Sequence, residues 1–195
     1  VNQAVENARE AGKSWRHMPQ HDRTRILEAY AEEIGARAER ISEAISRDMG
    51  KVKWDSLGEA AAMKGKIAVS IQAQVERAGG KSGDTAFGSA HLTHRPHGVM
   101  AVFGPFNFPG HLPNGHIVPA LLAGNTCVFK PSELAPAVAE IMVECFEAAG
   151  LPPGVVNVVH GGRHTGAALL EADINGLLFT GSAGTAVITE DSAIL

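Results

Sequence analysis

Apolar residues in the first part of the chain recur every three or four positions. Ile26, Leu27, Tyr30, Ile34, Ile41 and Ile45 keep this spacing among charged neighbours, as amphipathic helices with one buried face require. The pattern predicts several such helices in succession from Val1 to about Ala78. Gly79-Gly80 and Ser82-Gly83-Asp84 then break it, and Ala86 to His97 reads weakly as a short extended segment. Residues 81–97 are therefore expected to form a hinge or an excursion into a sheet.

From Gly98 onward the texture changes. Apolar runs at Val99–Phe103, Thr126–Phe129, Val155–Val159 and Gly176–Phe179 predict buried strands, and helical windows lie between them at Asn114–Leu122, Pro136–Ala149 and His164–Glu171. Strands alternating with helices predict an α/β fold, with an open parallel Rossmann-like sheet, crossover helices, and the amphipathic helices in front of it. The helix ending at Ala149 meets Gly150 and then Pro152 and Pro153, the expected glycine-then-proline termination. No internal repeat or low-complexity tract is present.

Composition narrows what this architecture can serve. The chain has 195 residues, 45% hydrophobic and 19% charged, with a formal net charge of -4. That balance offers no basic footprint for nucleic acid or an anionic membrane, so neither partner is expected. No apolar run reaches the roughly 20 residues needed to span a bilayer, and no signal-peptide pattern opens the chain. Two cysteines, Cys127 in an apolar run and Cys145 in a helical one, supply neither a disulfide framework nor zinc spacing, and a cytoplasmic setting is expected. Both thiols read as small core hydrophobes. Of the nine histidines, His94 with His97 and His111 with His116 lie near each other, but without helical zinc-motif context or clustered carboxylates, so no metal site is expected.

In open parallel sheets, ligands gather beyond the carboxyl ends of the strands, so the loops there are the places to look for chemistry. After the first strand comes Gly104-Pro105-Phe106-Asn107-Phe108-Pro109-Gly110, where prolines and glycines fix the backbone around one amide. Asn107 could donate to a developing oxyanion, or it could be a turn asparagine satisfying local backbone. After the second strand comes Lys130-Pro131-Ser132-Glu133. Its cation and carboxylate suit a ribose, and the carboxylate would repel the extra phosphate of NADP, favouring NAD. The same segment also reads as a helix start capped by Ser132, with Pro136 in the first turn. His160-Gly161-Gly162 and the loop from Thr180 through Gly181 and Ser182 to Thr185 could turn backbone N–H groups toward a phosphate, or could be ordinary tight turns.

Three motifs in order, Gly104-Pro105-Phe106-Asn107-Phe108-Pro109, Lys130-Pro131-Ser132-Glu133 and Phe179-Thr180-Gly181-Ser182, resemble the aldehyde dehydrogenase superfamily. The run His111–Ala120 is similar, more narrowly, to its succinylglutamate-semialdehyde branch. The resemblance implies NAD-dependent oxidation of an aldehyde to a carboxylate, with N-succinylglutamate 5-semialdehyde of arginine catabolism as the substrate. It implies Asn107 as oxyanion donor and Phe106 where the family usually has a Trp beside the cofactor. Lys130 and Glu133 would hold the adenosine ribose, Gly162 would flank the adenine side, Gly181 and Ser182 would lie by the pyrophosphate, and Ser132 and Thr185 would also belong to the cofactor-binding set. It further implies a homo-oligomeric parent enzyme.

The domain reading that follows assigns 1–80 to helices of the cofactor domain, 81–97 to the hinge, 98–185 to a partial NAD-binding domain and 186–195 to an anomalous tail. The family's nucleophilic Cys and general-base Glu come later than this chain extends, the start lacks a methionine, and the tail after Thr185 departs from the family pattern. The expectation is an N-terminal fragment, inactive alone and exposing a hydrophobic sheet edge. A non-catalytic nucleotide-binding product, or an aldehyde dehydrogenase of different substrate, are the alternatives.

Overall fold

The computed structural model describes residues 1–182. Thr185 and the stretch 186–195, read above as a cofactor contact and an anomalous tail, lie outside the described residues. Four helices come first: α1 (Asn2–Trp15), α2 (Gln20–Ala36), α3 (Ala38–Met49) and α4 (Lys53–Ala78). Each buries one stripe, as the periodicity predicts; α2 buries Leu27, Tyr30 and Ile34, and α3 buries Ile41 and Ile45.

The segment expected to be a hinge or an excursion into a sheet is a two-stranded antiparallel hairpin, β1 (Lys81–Thr85) and β2 (Gly88–Leu92). The pattern reading missed β1 because its sequence, Lys-Ser-Gly-Asp-Thr, has no apolar alternation. Both strands are exposed along their whole length, so no buried face wrote a period into them.

The remaining elements are β3 (Val99–Phe103), α5 (His111–Leu122), β4 (Thr126–Lys130), α6 (Ala137–Ala148), β5 (Val156–Val158), α7 (Arg163–Leu170) and β6 (Gly176–Phe179). β3 to β6 form one parallel sheet in the order β5-β4-β3-β6. β3 and β4 are buried at every position, as a sheet covered on both faces demands. Their alternate residues serve two cores. Met100, Val102, Cys127 and Phe129 join the larger core with α2, α4, α5 and α6, while Val99, Ala101, Phe103 and Val128 join the smaller one with Val5 and Ala8 of α1 and Leu169 of α7. The N-terminal helices thus share their cores with the sheet.

Helix boundaries come from both local and distant chemistry. α6 ends locally: Leu151 N–H donates to Phe146 C=O and Gly150 N–H to Glu147 C=O, both at 3.0 Å, with Gly150 at φ 79. This is the Schellman arrangement, which glycine accepts without steric cost. The start of α6 is held from elsewhere. Ala137 N–H donates to Asp48 Oδ2 of α3 at 3.3 Å, whereas Ser132 Oγ accepts from Leu134 N–H within the turn. Ser132 therefore shapes the turn after β4 and does not cap the helix.

Candidate functional site

The strand order places the site. The chain moves from β3 outward through β4 to β5, then returns to the opposite side of β3 for β6. The crossovers leave in opposite directions, opening a crevice at the carboxyl ends of the strands. A cleft of about 760 Å³ lies there, walled by the segments following β3, β4 and β6 and by the start of α7. Every site residue expected within the described residues lines it. Phe106 and Asn107 come from the loop after β3, and Lys130, Ser132 and Glu133 from the end of β4 and its turn. Gly162 precedes α7, and Gly181 and Ser182 follow β6.

Lys130 is the last residue of β4, in register with Phe103 of β3, where a loop position was expected. Strand pairing carries its side chain inward, and the residue is only 8% exposed. Its Nζ donates to the carbonyls of Pro131 and Gly161, each at 2.8 Å, and Glu133 Oε2 lies 3.8 Å away. An ammonium has three protons, so two are committed to backbone and one faces Glu133 and the cleft. Burial pushes the Lys130 ammonium below its ordinary value, an effect that Glu133 partly opposes. Glu133 is exposed and also borders a neighbouring recess containing Arg47 and His160.

Asn107 presents the opposite case. It sits in an exposed bend between the exposed rings of Phe106 and Phe108, and its amide makes no hydrogen bond among the described residues. The loop around it is nonetheless fastened. Gly104 N–H donates to Lys130 C=O at 3.0 Å, and Pro105, Pro109 and Gly110 are buried. A Cβ at Gly110 would run into Met63 and Val138, so α4 and α6 leave room only for glycine there. The third wall is tied to β3 and α5: Thr180 N–H donates to Phe103 C=O at 3.2 Å, and Thr180 Oγ1 lies 2.7 Å from His116 Nε2. Burial lowers the His116 pKa, and Lys66 lowers it further.

The family follows from a comparison of whole sequences: residues 1–193 match the model described as the aldehyde dehydrogenase family. The chain belongs to the aldehyde dehydrogenase family. Among curated family relatives it is 56% identical over 183 residues to N-succinylglutamate 5-semialdehyde dehydrogenase 2 of Caulobacter vibrioides, covering 94% of this chain and 38% of that protein. It is 53% identical over 186 residues to N-succinylglutamate 5-semialdehyde dehydrogenase of an Enterobacter species, covering 95% and 38%. Two solved structures carry the same fold. One is NADP-dependent glyceraldehyde-3-phosphate dehydrogenase from Bacillus halodurans in complex with NADP, at 32% identity and TM-score 0.92, covering 98% of this chain and 42% of that one. The other is NAD-dependent aldehyde dehydrogenase from Sinorhizobium meliloti, at 28% identity and TM-score 0.91, covering 98% and 39%. The chain thus spans 38% of the length of the first curated relatives.

The two thiols lie away from the cleft. Cys127 and Cys145 are free and fully buried, and burial pushes them up to about 12 and about 11 respectively. A thiol so placed does not ionise near neutrality and cannot act as a nucleophile. No group of three or more His, Cys, Asp or Glu able to hold a metal occurs among the described residues. Nor is any described helix long and apolar enough to cross a membrane.

Sequence reading missed several residues of the site. Arg163, the first residue of α7, lines the cleft as an exposed cation; its position after Gly161-Gly162 was a usable signal. Glu59 and Lys51, which hold the Asn107 loop from beneath, had no such signal. They lie about 50 residues upstream, and only folding brings them together with the loop.

Proposed function

We propose that this chain is the nucleotide-binding and oxyanion-donating part of an enzyme that oxidises an aldehyde to a carboxylate with NAD. The observation that carries this reading is the shared cleft at the sheet's switch point, into which the Asn107 loop and the Lys130–Glu133 turn both open. The residues suit a dinucleotide. A carboxylate and a buried ammonium stand side by side for vicinal hydroxyls, and the glycine-flanked start of α7 with Arg163 offers positive potential to a diphosphate. Bound there, the nicotinamide supplies a hydride acceptor. The chain's residues hold and orient: Lys130 and Glu133 fix the ribose, Gly162 flanks the adenine side, Gly181 and Ser182 approach the phosphates, and Asn107 directs its N–H₂ at the carbonyl oxygen where negative charge develops.

Glu133 supports NAD over NADP, because its carboxylate would face the 2′-phosphate across a few ångströms. The identity to named N-succinylglutamate 5-semialdehyde dehydrogenases supports that dianionic aldehyde as substrate. We read residues 98–185 as the nucleotide-binding domain, residues 1–80 as its helical complement and residues 81–97 as a connecting segment. We place the protein, with its reduced thiols, in the cytoplasm as part of a homo-oligomeric enzyme.

Calorimetry of the purified chain tests this. NAD should bind more tightly than NADP, and no heat with either at millimolar concentration would reject the reading. The 195-residue chain should not form NADH from an aldehyde, since both of its thiols are buried and protonated. Sustained NADH production by it would contradict the assignment of roles.

A further inference from the structure

We propose that Glu59, held by Lys51, is a positioning residue for Asn107. The inference rests on the reading of Asn107 as a donor in the cleft. Because the Asn107 amide has no hydrogen bond among the described residues, the backbone that carries it sets its position in the cleft and the range of directions open to it. That backbone is fastened at its start by the Gly104–Lys130 bond described above, and at its end by Glu59.

Glu59 belongs to the buried stripe of α4, with Ser56, Ala60, Met63 and Ile67. A carboxylate in such a stripe must be satisfied on both oxygens, or its burial is costly. Both are satisfied. Oε1 accepts from Gly110 N–H at 3.0 Å and from His111 N–H at 3.2 Å. Oε2 accepts from Lys51 Nζ at 2.8 Å. These two N–H groups open α5, a helix with no capping side chain of its own. Glu59 therefore acts as a cap delivered from another helix, adding negative charge where the α5 dipole favours it.

Lys51 continues the link to the other side of the bend. Its Nζ stands 3.7 Å from the centroid of the Phe108 ring, within the range of a cation–π contact. One buried ion pair thus grips the residue directly after Asn107 and the helix start three and four residues beyond it. The pair has 14% and 0% side-chain exposure for Lys51 and Glu59, so water competes little for these contacts.

The test measures amide hydrogen exchange and the Asn107 side-chain N–H₂ resonances by NMR in the whole chain. Glu59→Ala should speed exchange at Gly110 and His111 at least tenfold more than at β3 and β4, and should broaden or average the Asn107 signals. Glu59→Gln combined with Lys51→Met keeps the acceptor and removes the stranded ammonium, so it should restore protection at Gly110 and His111 while the Asn107 signals stay shifted through the lost Phe108 contact. Should Glu59→Ala fail to fold, Lys51→Met alone should still shift the Asn107 signals through Phe108. Unchanged Asn107 signals in the folded variants would overturn the proposal. So would a loss of protection spread evenly over the sheet, which would mark a general brace. Titration of the wild-type chain with NAD is a separate arm: no shift of Asn107 there would remove the reading of the cleft while leaving the exchange result legible.

Discussion

The loop after β3 and the turn after β4 open into the same cleft but hold their polar groups in opposite ways. Lys130 is fastened by its own side chain, with its ammonium donating to two carbonyls. Asn107 is fastened only through its backbone, by the Gly104 bond, buried prolines and the Glu59 cap. A tied side chain that also meets the proposed ligand would serve both, so altering it should disturb both the fold and the binding. A side chain carried on a tied backbone separates the two, and can change without loss of stability.

Variants can break or sharpen this contrast. The largest effect is expected from Lys130→Met, which leaves the Pro131 and Gly161 carbonyls without their buried donor. It should cost about 1–3 kcal/mol of stability in denaturant unfolding and weaken NAD binding more than about tenfold by calorimetry. Unaltered stability would show that these two bonds carry no weight. Next, Glu133→Gln keeps the shape of the turn and removes the charge. NADP affinity should rise by roughly tenfold relative to NAD, in line with a screened charge pair near a protein surface. An unmoved NADP-to-NAD ratio would mean that Glu133 does not face the added phosphate.

A smaller effect concerns the third wall, where His116 meets Thr180. The folded chain holds His116 below its ordinary value of 6.5, so the unfolded chain takes up its proton first as pH falls. The native state is favoured above the unfolded value, and that advantage is lost as pH drops through about 6.5 toward the folded value. His116→Gln should flatten this acid limb of the stability profile, and equal acid sensitivity in the two proteins would exclude His116 as its source. The smallest effect on stability belongs to Asn107→Ala, expected within about 0.5 kcal/mol because no hydrogen bond is broken. In an enzyme with a working nucleophile the same change should slow turnover by about 10² to 10³. A marked loss of stability would show that Asn107 is part of the loop's own fastening.

Residues with local patterns were legible before folding was known. The helical stripes containing Ile34 and Ile41, the buried run at Val99–Phe103, the partly buried one at Gly176–Phe179 and the Gly150 stop all follow from short-range periodicity and turn chemistry. The loops around Asn107, Lys130 and Gly181 were legible too, since glycines, prolines and isolated polar groups at strand ends are conspicuous. The hairpin strand Lys81–Thr85 was not, because exposure on both faces removes the alternation that marks a strand. The end of β4 was misplaced by one residue, since lysine does not look like a strand residue until its neighbour Phe103 is known.

By itself the sequence determined the alternation of strands and helices, the family and the loops that hold polar groups, because each depends on residues close together in the chain. Only the tertiary structure decided that these loops share one cleft, that Lys130 spends two protons on carbonyls, and that Glu59 caps α5 across 51 residues. Those facts depend on strand order and on the packing of α4 beneath the Asn107 loop. They arise from the requirement that every buried polar group find a partner, and that partner can lie anywhere along the chain.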